Sequence, residues 1–313
     1  MLTCHSHDVS LETLCEATDA EVLRGAGGFA APSLTALYLN LDQEVARRHS
    51  IEAQLAAAGM QAERIHAVDG RKPLPAELSA YFNAEHLMDA GALGCYASHI
   101  KAWQRILRKD LPYALVLEDD AILAPGLQQL LTDILTALPR GWDMVHLGTA
   151  PDRAVWEMAR VGSRRIVQFS RVPPGAVGYL LSRAGARKLL KAEPRLWPID
   201  TDTRRPWLFG LAVYGVVAPP IKHNWSVPST IRARGCKRWT PRRGWRAAFR
   251  NPIRNVQGFL FNWHRLGSTR WSFCLCVNGA LKIRAVLRRW VPSGLPAVPG
   301  RRLQRLMHAA LEN

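Results

Sequence analysis

The stretch that most constrains the fold is Tyr113–Asp120, which reads Tyr-Ala-Leu-Val-Leu-Glu-Asp-Asp. Its five apolar or aromatic residues, with the β-branched Val116 among them, predict a short strand buried on both faces, as in a covered parallel sheet. Three carboxylates, Glu118, Asp119 and Asp120, follow at the C-terminal end of this strand. Because ligands of open α/β sheets bind outside the carboxyl ends of strands, an active site is expected here.

Three adjacent carboxylates repel one another unless a positive charge lies close by. A hard divalent cation such as Mg²⁺ or Mn²⁺ is the plainest candidate, because it takes carboxylate oxygens and keeps positions free for substrate phosphates. The alternative is structural: Asp and Glu also cap helix N-termini, and Ala121 to Leu123 could lead into such a helix. The local sequence leaves both interpretations open.

Strand and helix patterns alternate along the chain, which places it in the α/β class. Leu34–Leu41 and Arg64–Val68 predict two strands, and Asp42–Ala58 predicts a helix between them that ends at Gly59. The later predicted elements are a helix from about Gly94, an amphipathic helix through Leu127–Leu138, a strand over Asp143–Leu147, a strand ending at Leu181 and a helix capped by Ser182. Residues 149–170 are charged and irregular, and they predict a loop over the site.

The helix predicted from Gly94 carries Cys95, His99 and Trp103 on one face, since these residues recur every four positions. A Cys and a His one turn apart could bind zinc, but the sequence contains no second such pair. We therefore expect this face to pack in the core, with Ser98 and His99 pointing at a ligand.

A second group of charged residues follows Pro198, where Asp200 and Asp202 lie beside Arg204 and Arg205. These carboxylates could supply a further metal ligand and a general base. The alternative is a surface salt-bridge cluster of little consequence.

The excess positive charge lies at the end of the chain. Residues 231–313 hold 18 Lys and Arg against 1 acidic residue, whereas residues 1–230 hold 24 of each. Five tryptophans accompany the basic residues, a combination that suits an anionic membrane surface, and Cys274–Trp290 predicts an interfacial amphipathic helix. Nucleic acid ranks second, because no zinc, helix-turn-helix or RNA-binding signature accompanies the charge. A solvated, poorly packed tail is the third interpretation.

Several features concern the compartment. The six cysteines form no C-x-x-C pair and no regular framework, which indicates a reducing environment. The N-terminus lacks a secretory pattern, and the longest apolar-rich run, Trp207–Ile221, falls short of the roughly 20 residues needed to cross a bilayer. We expect a cytoplasmic protein that is peripheral on the inner face of the membrane.

Several short blocks follow one another along the chain. They are Leu39-Asn40-Leu41 with Arg47-Arg48, Ala67-Val68-Asp69-Gly70, Gly94-Cys95-Tyr96-Ala97-Ser98-His99, Val116-Leu117-Glu118-Asp119-Asp120, Gly178-Tyr179 with Ser182 and Gly185-Ala186, and Pro198-Ile199-Asp200. In this order the blocks resemble glycosyltransferase family 25, which includes bacterial lipooligosaccharide galactosyltransferases and collagen galactosyltransferases. The resemblance predicts a catalytic domain over residues 33–230, preceded by an N-terminal extension (1–32) and followed by the basic tail (231–313).

The resemblance implies a GT-A-type, Rossmann-like mixed sheet flanked by helices, with the basic tail as an appendage. It also implies a divalent metal, Mn²⁺ or Mg²⁺, and transfer of a hexose from a UDP-sugar with inversion, usually galactose from UDP-galactose. The implied metal ligands are Asp120, Glu118 and Asp200. The implied donor-binding residues are Asn40, Arg47, Asp69, Ser98, His99, Glu118 and Asp119. Asp200 is the first candidate for the base, or for an additional metal ligand, with Asp202 second; His223 is a further candidate for contact with the metal or diphosphate.

The expected function is hexose transfer to a cell-surface glycan such as lipopolysaccharide, on a lipid-linked acceptor. A metal-dependent nucleotide phosphohydrolase is the alternative enzyme, because acidic metal sites at strand ends serve both chemistries. The alternative outside enzymology is a basic membrane- or nucleic-acid-binding module in which the acidic triplet is only a cap.

Overall fold

A mixed β-sheet with helices on both faces forms the body of the described chain. In this computed structural model the described residues are 34–86, 88–191, 194–224 and 245–290, and in the last range side chains are described for 256–281. The N-terminal extension and the remainder of the basic tail lie outside the described residues.

The elements alternate between strand and helix through most of the chain. In chain order they are β1 (Thr35–Asn40), α1 (Val45–Ala57), β2 (Gln61–His66), α2 (Ala76–Ser79), α3 (Ala90–Arg108), β3 (Tyr113–Glu118), β4 (Ala121–Leu123), α4 (Leu127–Ala137), β5 (Met144–His146), β6 (Val155–Val161), β7 (Arg164–Phe169), β8 (Gly178–Ser182), α5 (Arg183–Leu189), α6 (Ile199–Thr203), a 3-10 turn (Pro206–Leu208), β9 (Val213–Val217), β10 (Ile221–His223), α7 (Trp245–Leu266) and α8 (Ser268–Trp290).

Eight strands form one sheet in the order β2-β1-β3-β8-β5-β9-β7-β6, and β4 pairs with β10 in a separate ribbon. Strands β2, β1 and β3 are parallel, β8 runs antiparallel to both β3 and β5, and β5 is parallel to β9. This mixed sheet flanked by helices confirms the predicted fold class. Because β1 and β3 are parallel neighbours, their carboxyl ends meet at one edge of the sheet.

Strand β3 is buried on both faces, as its apolar run predicts. Ala114 and Val116 belong to the core beneath α3, whereas Leu115 and Leu117 belong to the core beneath α1 and α4. All four side chains are fully buried. Burial of a Val or Leu side chain contributes about 1.5–3 kcal/mol, so two cores hold the strand that presents the acidic triplet.

Most predicted elements are present, and their boundaries shift where caps intervene. Helix α3 begins at Ala90 rather than near Gly94, because the Asp89 side chain accepts a hydrogen bond from the Ala92 N–H at 2.8 Å. The predicted cap at Ser182 is confirmed, since its hydroxyl accepts from the Gly185 N–H at 3.0 Å.

The predicted loop over residues 149–170 is wrong. Strands β6 and β7 form an antiparallel hairpin at the edge of the sheet opposite β2, far along the strand order from β1 and β3. The charges there pair with one another: Arg160 donates to Glu157 at 2.5 Å, and Arg165 does so at 3.4 Å. Because these charged side chains form ion pairs within the hairpin, the segment has the charged composition that is typical of a loop although it forms two strands.

The helix-cap alternative for the acidic triplet is also wrong. Strand β4 follows the triplet directly, and the N-cap of α4 is Gly126, which has a φ of 68°. Glu118, Asp119 and Asp120 therefore lie between two strands, away from the start of that helix.

The tail contributes two helices, and part of the predicted interfacial helix packs on the domain. Trp271, Phe273, Cys274 and Val277 of α8 are buried in a cluster that includes Ala154. Within the described residues, no helix combines the length and the apolar character needed to span a membrane.

A buried histidine on β5 sets an expected pH dependence of stability. His146 is 1% exposed, and neither of its ring nitrogens has a hydrogen-bond partner within the described ranges. Burial lowers its pKa from 6.5 to about 4. Between these values the unfolded chain binds the proton and the folded chain does not, so stability falls as pH falls. We expect this residue to remove about 2 kcal/mol of unfolding free energy between pH 7 and pH 5.

Urea unfolding of the wild type and of His146→Leu at both pH values checks this expectation. The variant should lose about 2 kcal/mol less than the wild type over the same interval, because leucine takes up no proton. An equal loss in both proteins would show that other groups account for the acid sensitivity.

Candidate active site

A pocket of about 330 Å³ opens at the carboxyl ends of the parallel strands β1 and β3. Its wall is built from the ends of these strands, from the loop after β2, from the start of α3, and from His223. The polar and charged residues predicted from the sequence that line it are Arg47, Asp69, Ser98, Glu118, Asp119, Asp120 and His223.

Asn40 and Arg47 hold the middle carboxylate of the triplet. The Asn40 side-chain amide donates to Asp119 at 2.7 Å, and Arg47 donates to the other Asp119 oxygen at 3.0 Å. Arg47 also approaches Asp120 at 3.5 Å. Asn40 ends β1 and Arg47 lies in the first turn of α1, so the parallel pairing of β1 and β3 brings both donors to the triplet.

Asp120 receives a second basic neighbour from a distant part of the chain. The Nε2 atom of His223 lies 3.2 Å from Asp120 Oδ2. Antiparallel pairing of β10 with β4 causes this approach, because His223 lies opposite Ala121, the residue after Asp120. Asp120 Oδ1, in contrast, is buried and has no hydrogen-bond partner in the described part of the chain.

Glu118 ends a hydrogen-bonded chain that runs through the core. Trp103 donates to the Tyr179 hydroxyl at 2.8 Å, and this hydroxyl lies 2.8 Å from His99 Nδ1. His99 Nε2 lies 3.4 Å from Glu118 Oε1. The Tyr179 hydroxyl and the Glu118 carboxylate therefore lie at opposite ring nitrogens of His99. His99 is fully buried, so it reaches the pocket through Glu118.

The three carboxylates differ in pKa for identifiable reasons. Burial raises the pKa of Asp120 to about 7, with the neighbouring Glu118 carboxylate adding to the effect and Arg47 opposing it. Burial also raises the pKa of Asp119, against the hydrogen bonds from Asn40 and Arg47. For Glu118, burial acts in the same direction, but the hydrogen bond and charge of His99 outweigh it and lower the pKa. The triplet therefore resists full ionisation unless a further cation is present.

These features fit a divalent cation. Carboxylate oxygens are the preferred ligands of Mg²⁺ and suit Mn²⁺, and the buried Asp120 Oδ1 is an acceptor that the protein itself leaves unused. Asp120 and Glu118 would hold the metal, which would supply positive charge for substrate phosphates. Arg47 and His223 already neutralise Asp120 Oδ2, so they would share the site with the metal.

The side chains of Cys95, His99 and Glu118 also come together, with their ligand atoms within 4.8 Å of one another. A metal at these atoms would need the Cys95 thiolate. Burial raises the pKa of the Cys95 thiol well above its ordinary value, and the negative charge of Glu118 is the next largest cause of this shift. In the metal-free protein we therefore interpret Cys95 as a neutral thiol whose sulfur lies 3.9 Å from Glu118 Oε1.

The loop after β2 is packed tightly against the start of α3. A Cβ at Gly94 would come within 2.4 Å of the Val68 carbonyl oxygen, and one at Gly70 within 2.0 Å of the Ala90 carbonyl oxygen. Ser98 fastens the same loop, because its hydroxyl accepts from the Val68 N–H at 2.8 Å. The Ser98 hydroxyl thus shapes the pocket, and Asp69 forms an ion pair with Arg71 there.

Asp200 and Asp202 lie on α6 in different environments. Asp202 is 3% exposed, accepts a hydrogen bond from Tyr96 at 3.0 Å and forms a close ion pair with Arg205. Asp200 is partly exposed. Burial raises its pKa, and the charge of Arg204, which is the next largest influence, opposes that shift. Neither residue is among those that line the acidic pocket. The Glu118 carboxylate nevertheless contributes to the raised pKa of Asp200.

Sequence patterns alone missed some pocket residues. Leu39, Leu41, Gly91 and Arg71 line the pocket without having been predicted as donor-binding residues. Leu39 and Leu41 flank Asn40 at the predicted strand end, and Gly91 lies two residues after Asp89, whose side chain caps α3. The strand end and the Asp89 cap were therefore usable signals. Arg71 carried no signal beyond its position after the turn at Asp69 and Gly70.

The fold and pocket define a mixed α/β protein with a carboxylate-rich ligand site at its strand ends. A family model described as "Glycosyltransferase family 25 (LPS biosynthesis protein)" matches residues 34–203. The chain belongs to glycosyltransferase family 25, and its mixed sheet flanked by helices fits a GT-A-like fold.

Curated relatives support this assignment. The chain is 30% identical over 178 residues to a "Glycosyltransferase 25 family member" of Aedes aegypti, covering 52% of this chain and 29% of that protein. It is 34% identical over 137 residues to "Procollagen galactosyltransferase 1-B" of Xenopus laevis, covering 42% and 22%. It is also 29% identical over 178 residues to "Inactive glycosyltransferase 25 family member 3" of Mus musculus, covering 52% and 30%. The chain therefore spans less than a third of the length of each.

A solved structure of a glycosyltransferase involved in glycosylation of the major capsid of PBCV-1 matches with 13% identity and a TM-score of 0.29. The match covers 50% of this chain and 62% of that chain.

Proposed function

We propose that this protein is a metal-dependent transferase that moves a hexose from a UDP-sugar to a cell-surface glycan, with inversion at the anomeric carbon. The observation that carries the proposal is the set of three carboxylates gathered at the ends of β1 and β3 with Arg47 and His223. Galactose from UDP-galactose is the first donor to test, because a Xenopus laevis relative is named a procollagen galactosyltransferase.

The residues divide into roles that the contacts support. Asp120 and Glu118 hold Mn²⁺ or Mg²⁺, and Asp200 is the base or a further metal ligand. Arg47 and His223 lie where cations can meet diphosphate oxygens, since both are already beside Asp120. When bound, the metal supplies positive charge that offsets the charge developing on the leaving nucleotide.

Asp200 suits the base role better than Asp202. Inversion in one displacement requires a group that takes the proton of the acceptor hydroxyl, and burial raises the pKa of both carboxyl groups, so their contacts distinguish them. Asp202 is committed to Arg205 and Tyr96, so taking a proton there would break a buried ion pair. We assign Asp202 a structural role within α6.

The acceptor and its location are proposed from the tail. A lipid-linked or lipopolysaccharide-type glycan would be met at the inner face of the membrane by a cytoplasmic protein whose basic tail binds anionic lipid. Helix α7 adds support, because Val256, Leu260 and Trp263 are exposed at helical spacing. The interfacial face is then on α7, since Trp271, Phe273, Cys274 and Val277 of α8 are buried.

Calorimetric titration of UDP into the full chain tests the donor site. With Mn²⁺ present we expect saturable binding, and with EDTA we expect the affinity to fall by at least about 10-fold, because the diphosphate then meets uncompensated carboxylates. If UDP binds in neither condition while circular dichroism shows a folded protein, the UDP-sugar assignment fails.

Product analysis separates transfer from hydrolysis. UDP-galactose is incubated with Mn²⁺, with and without a truncated lipopolysaccharide acceptor, and the galactose products are measured. A transferase should release UDP rapidly only when the acceptor is present and should place the sugar on it. Release of free galactose at full rate without an acceptor would instead identify a hydrolase.

A further inference from the structure

A second cavity, of about 480 Å³, lies between the sheet and the helices of the tail. Residues 168–172 form one wall, the segment from α6 through the 3-10 turn forms another, and residues 258–275 of α7 and α8 form the third. It shares no lining residue with the acidic pocket. Its volume lies within the range of small-molecule sites.

The charged side chains of this cavity are all positive. Four arginines line it and no Asp or Glu is among its lining residues: Arg171, Arg204, Arg205 and Arg265. Arg205 is ion-paired with Asp202, and Arg265 donates to the Leu211 carbonyl. Arg171 and Arg204 form no ion pair among the described residues. Burial lowers the pKa of Arg171, and the neighbouring charge of Arg204 lowers it further. This pair offers its charge to a ligand.

Trp207 and Trp271 both line the cavity with buried indole groups. The Nε1 atom of each is buried and has no hydrogen-bond partner among the residues that the structure describes. Trp271 is only 6% exposed. Buried N–H groups without partners are rare in folded proteins, so an acceptor oxygen is expected to satisfy them when a ligand is present. Indole and guanidinium groups are donors only, which selects anionic oxygens.

Aromatic rings supply the remaining walls. Phe259 and Phe261 line the cavity with the two tryptophans. Trp207 packs directly on α7, since a Cβ at Gly258 would come 3.1 Å from its ring. Rings fixed in this way suit the apolar C–H face of a saccharide, while the arginines suit a charged substituent.

The cavity also adjoins the proposed base. Thr201 and Arg204 line it, and Asp200 precedes them on the same short segment. Burial raises the pKa of the Asp200 carboxyl, the Arg204 charge lowers it, and the Glu118 charge raises it. Asp200 therefore feels the charge of both the cavity arginine and the acidic triplet. A molecule in the cavity could therefore present a hydroxyl to Asp200.

We infer that this cavity binds the acceptor saccharide through an anionic substituent, a phosphate or a carboxylate, held by Arg171, Arg204 and the indole N–H groups of Trp207 and Trp271. The inference rests on the proposed transferase function, because only a transferase needs an acceptor site. It predicts that neutral sugars bind weakly and that anionic sugars bind beside the donor pocket.

Indole ¹⁵N–¹H NMR of the full chain tests the inference. Glucose 6-phosphate, glucuronate, glucose and glycerol 3-phosphate are titrated separately, and the Trp207 and Trp271 signals are assigned with Trp207→Phe and Trp271→Phe. We expect the two anionic sugars to shift both signals and to bind at least about 10-fold more tightly than glucose. Equal binding of glucose would overturn the anionic site, and equal binding of glycerol 3-phosphate would overturn the saccharide assignment in favour of a headgroup-type phosphate.

Arginine variants show whether the cavity is the site. Arg171→Gln/Arg204→Gln is expected to weaken glucose 6-phosphate binding by at least about 10-fold, because two charge-assisted contacts are lost. The control Arg140→Gln, at an exposed position, should leave it unchanged. Unchanged binding in the double variant overturns the inference, provided its far-ultraviolet circular dichroism and melting temperature match the wild type. If the double variant does not fold, Arg171→Gln alone, at an exposed position, serves the same purpose.

A donor-site measurement separates this inference from the proposed function. UDP with Mn²⁺ is added to the glucose 6-phosphate complex, and paramagnetic broadening of the sugar proton signals is measured. Broadening supports an acceptor held beside the donor site. Normal UDP binding without broadening overturns the acceptor role and leaves the proposed function standing. If UDP itself does not bind, the proposed function fails, and the acceptor role fails with it even where anionic sugars bind.

Discussion

Asp120→Asn is expected to lower transfer by about 10³-fold and to abolish the Mn²⁺ dependence of UDP binding, because it removes the carboxylate best placed to hold the metal. The same change should leave the metal-free protein at least as stable as the wild type. Burial and the Glu118 charge raise the pKa of Asp120 to about 7, so ionising this group costs folding free energy as pH rises through the interval from 3.8 to 7. The neutral amide avoids that cost.

Initial rates with UDP-galactose, UDP calorimetry and thermal melting in EDTA check the three parts of this prediction. Asp133→Asn is the matched control, because Asp133 is exposed on α4 and lies away from the pocket. Retention of Mn²⁺-dependent UDP binding by Asp120→Asn would remove Asp120 from the metal site. If the wild type binds UDP yet transfers nothing, as for a relative named inactive, the binding and melting measurements still decide the point.

Asp200→Asn is expected to lower kcat by about 10²–10⁴-fold with UDP binding unchanged, because an amide cannot accept the proton of the acceptor hydroxyl. Stability should change little, since Asp200 is partly exposed and makes no ion pair among the described residues. Asp202→Asn should behave in the opposite way. It leaves the buried Arg205 without its charged partner, and we expect a loss of about 3 kcal/mol in unfolding free energy.

Single-turnover rates, UDP calorimetry and urea unfolding of both variants distinguish the roles. If Asp200→Asn weakens Mn²⁺-dependent UDP binding together with turnover, Asp200 acts as a metal ligand. If Asp202→Asn retains full stability and loses only turnover, the assignment of Asp202 to structure is wrong, and Asp202 becomes the candidate base.

Local patterns predicted the central part of the fold and site. The apolar run of β3 and the carboxylates at its end were readable because strand period and strand ends are properties of neighbouring residues. The same holds for α1, α4 and the Ser182 cap. Asn40 and Arg47 could be placed near the triplet because they lie at or just after the end of the first strand of a β-α-β unit, and parallel strand ends meet at one edge.

The features that escaped prediction depend on contacts between distant residues. The hairpin of β6 and β7 was not predicted because its charged side chains pair with one another, both within β6 and across the two strands. His223 could be only a loose candidate until β10 paired with β4, about 100 residues earlier in the chain.

The same distinction separates residues that look alike in sequence. Asp200 and Asp202 are two positions apart, yet one lies near the triplet and the other is bound to Arg205 and Tyr96. Strand and helix patterns, the acidic triplet and the basic tail are encoded locally. The partners of each carboxylate, and the cavity between the domain and its tail, depend on long-range packing, because burial and neighbouring charge set the chemistry of an ionisable group.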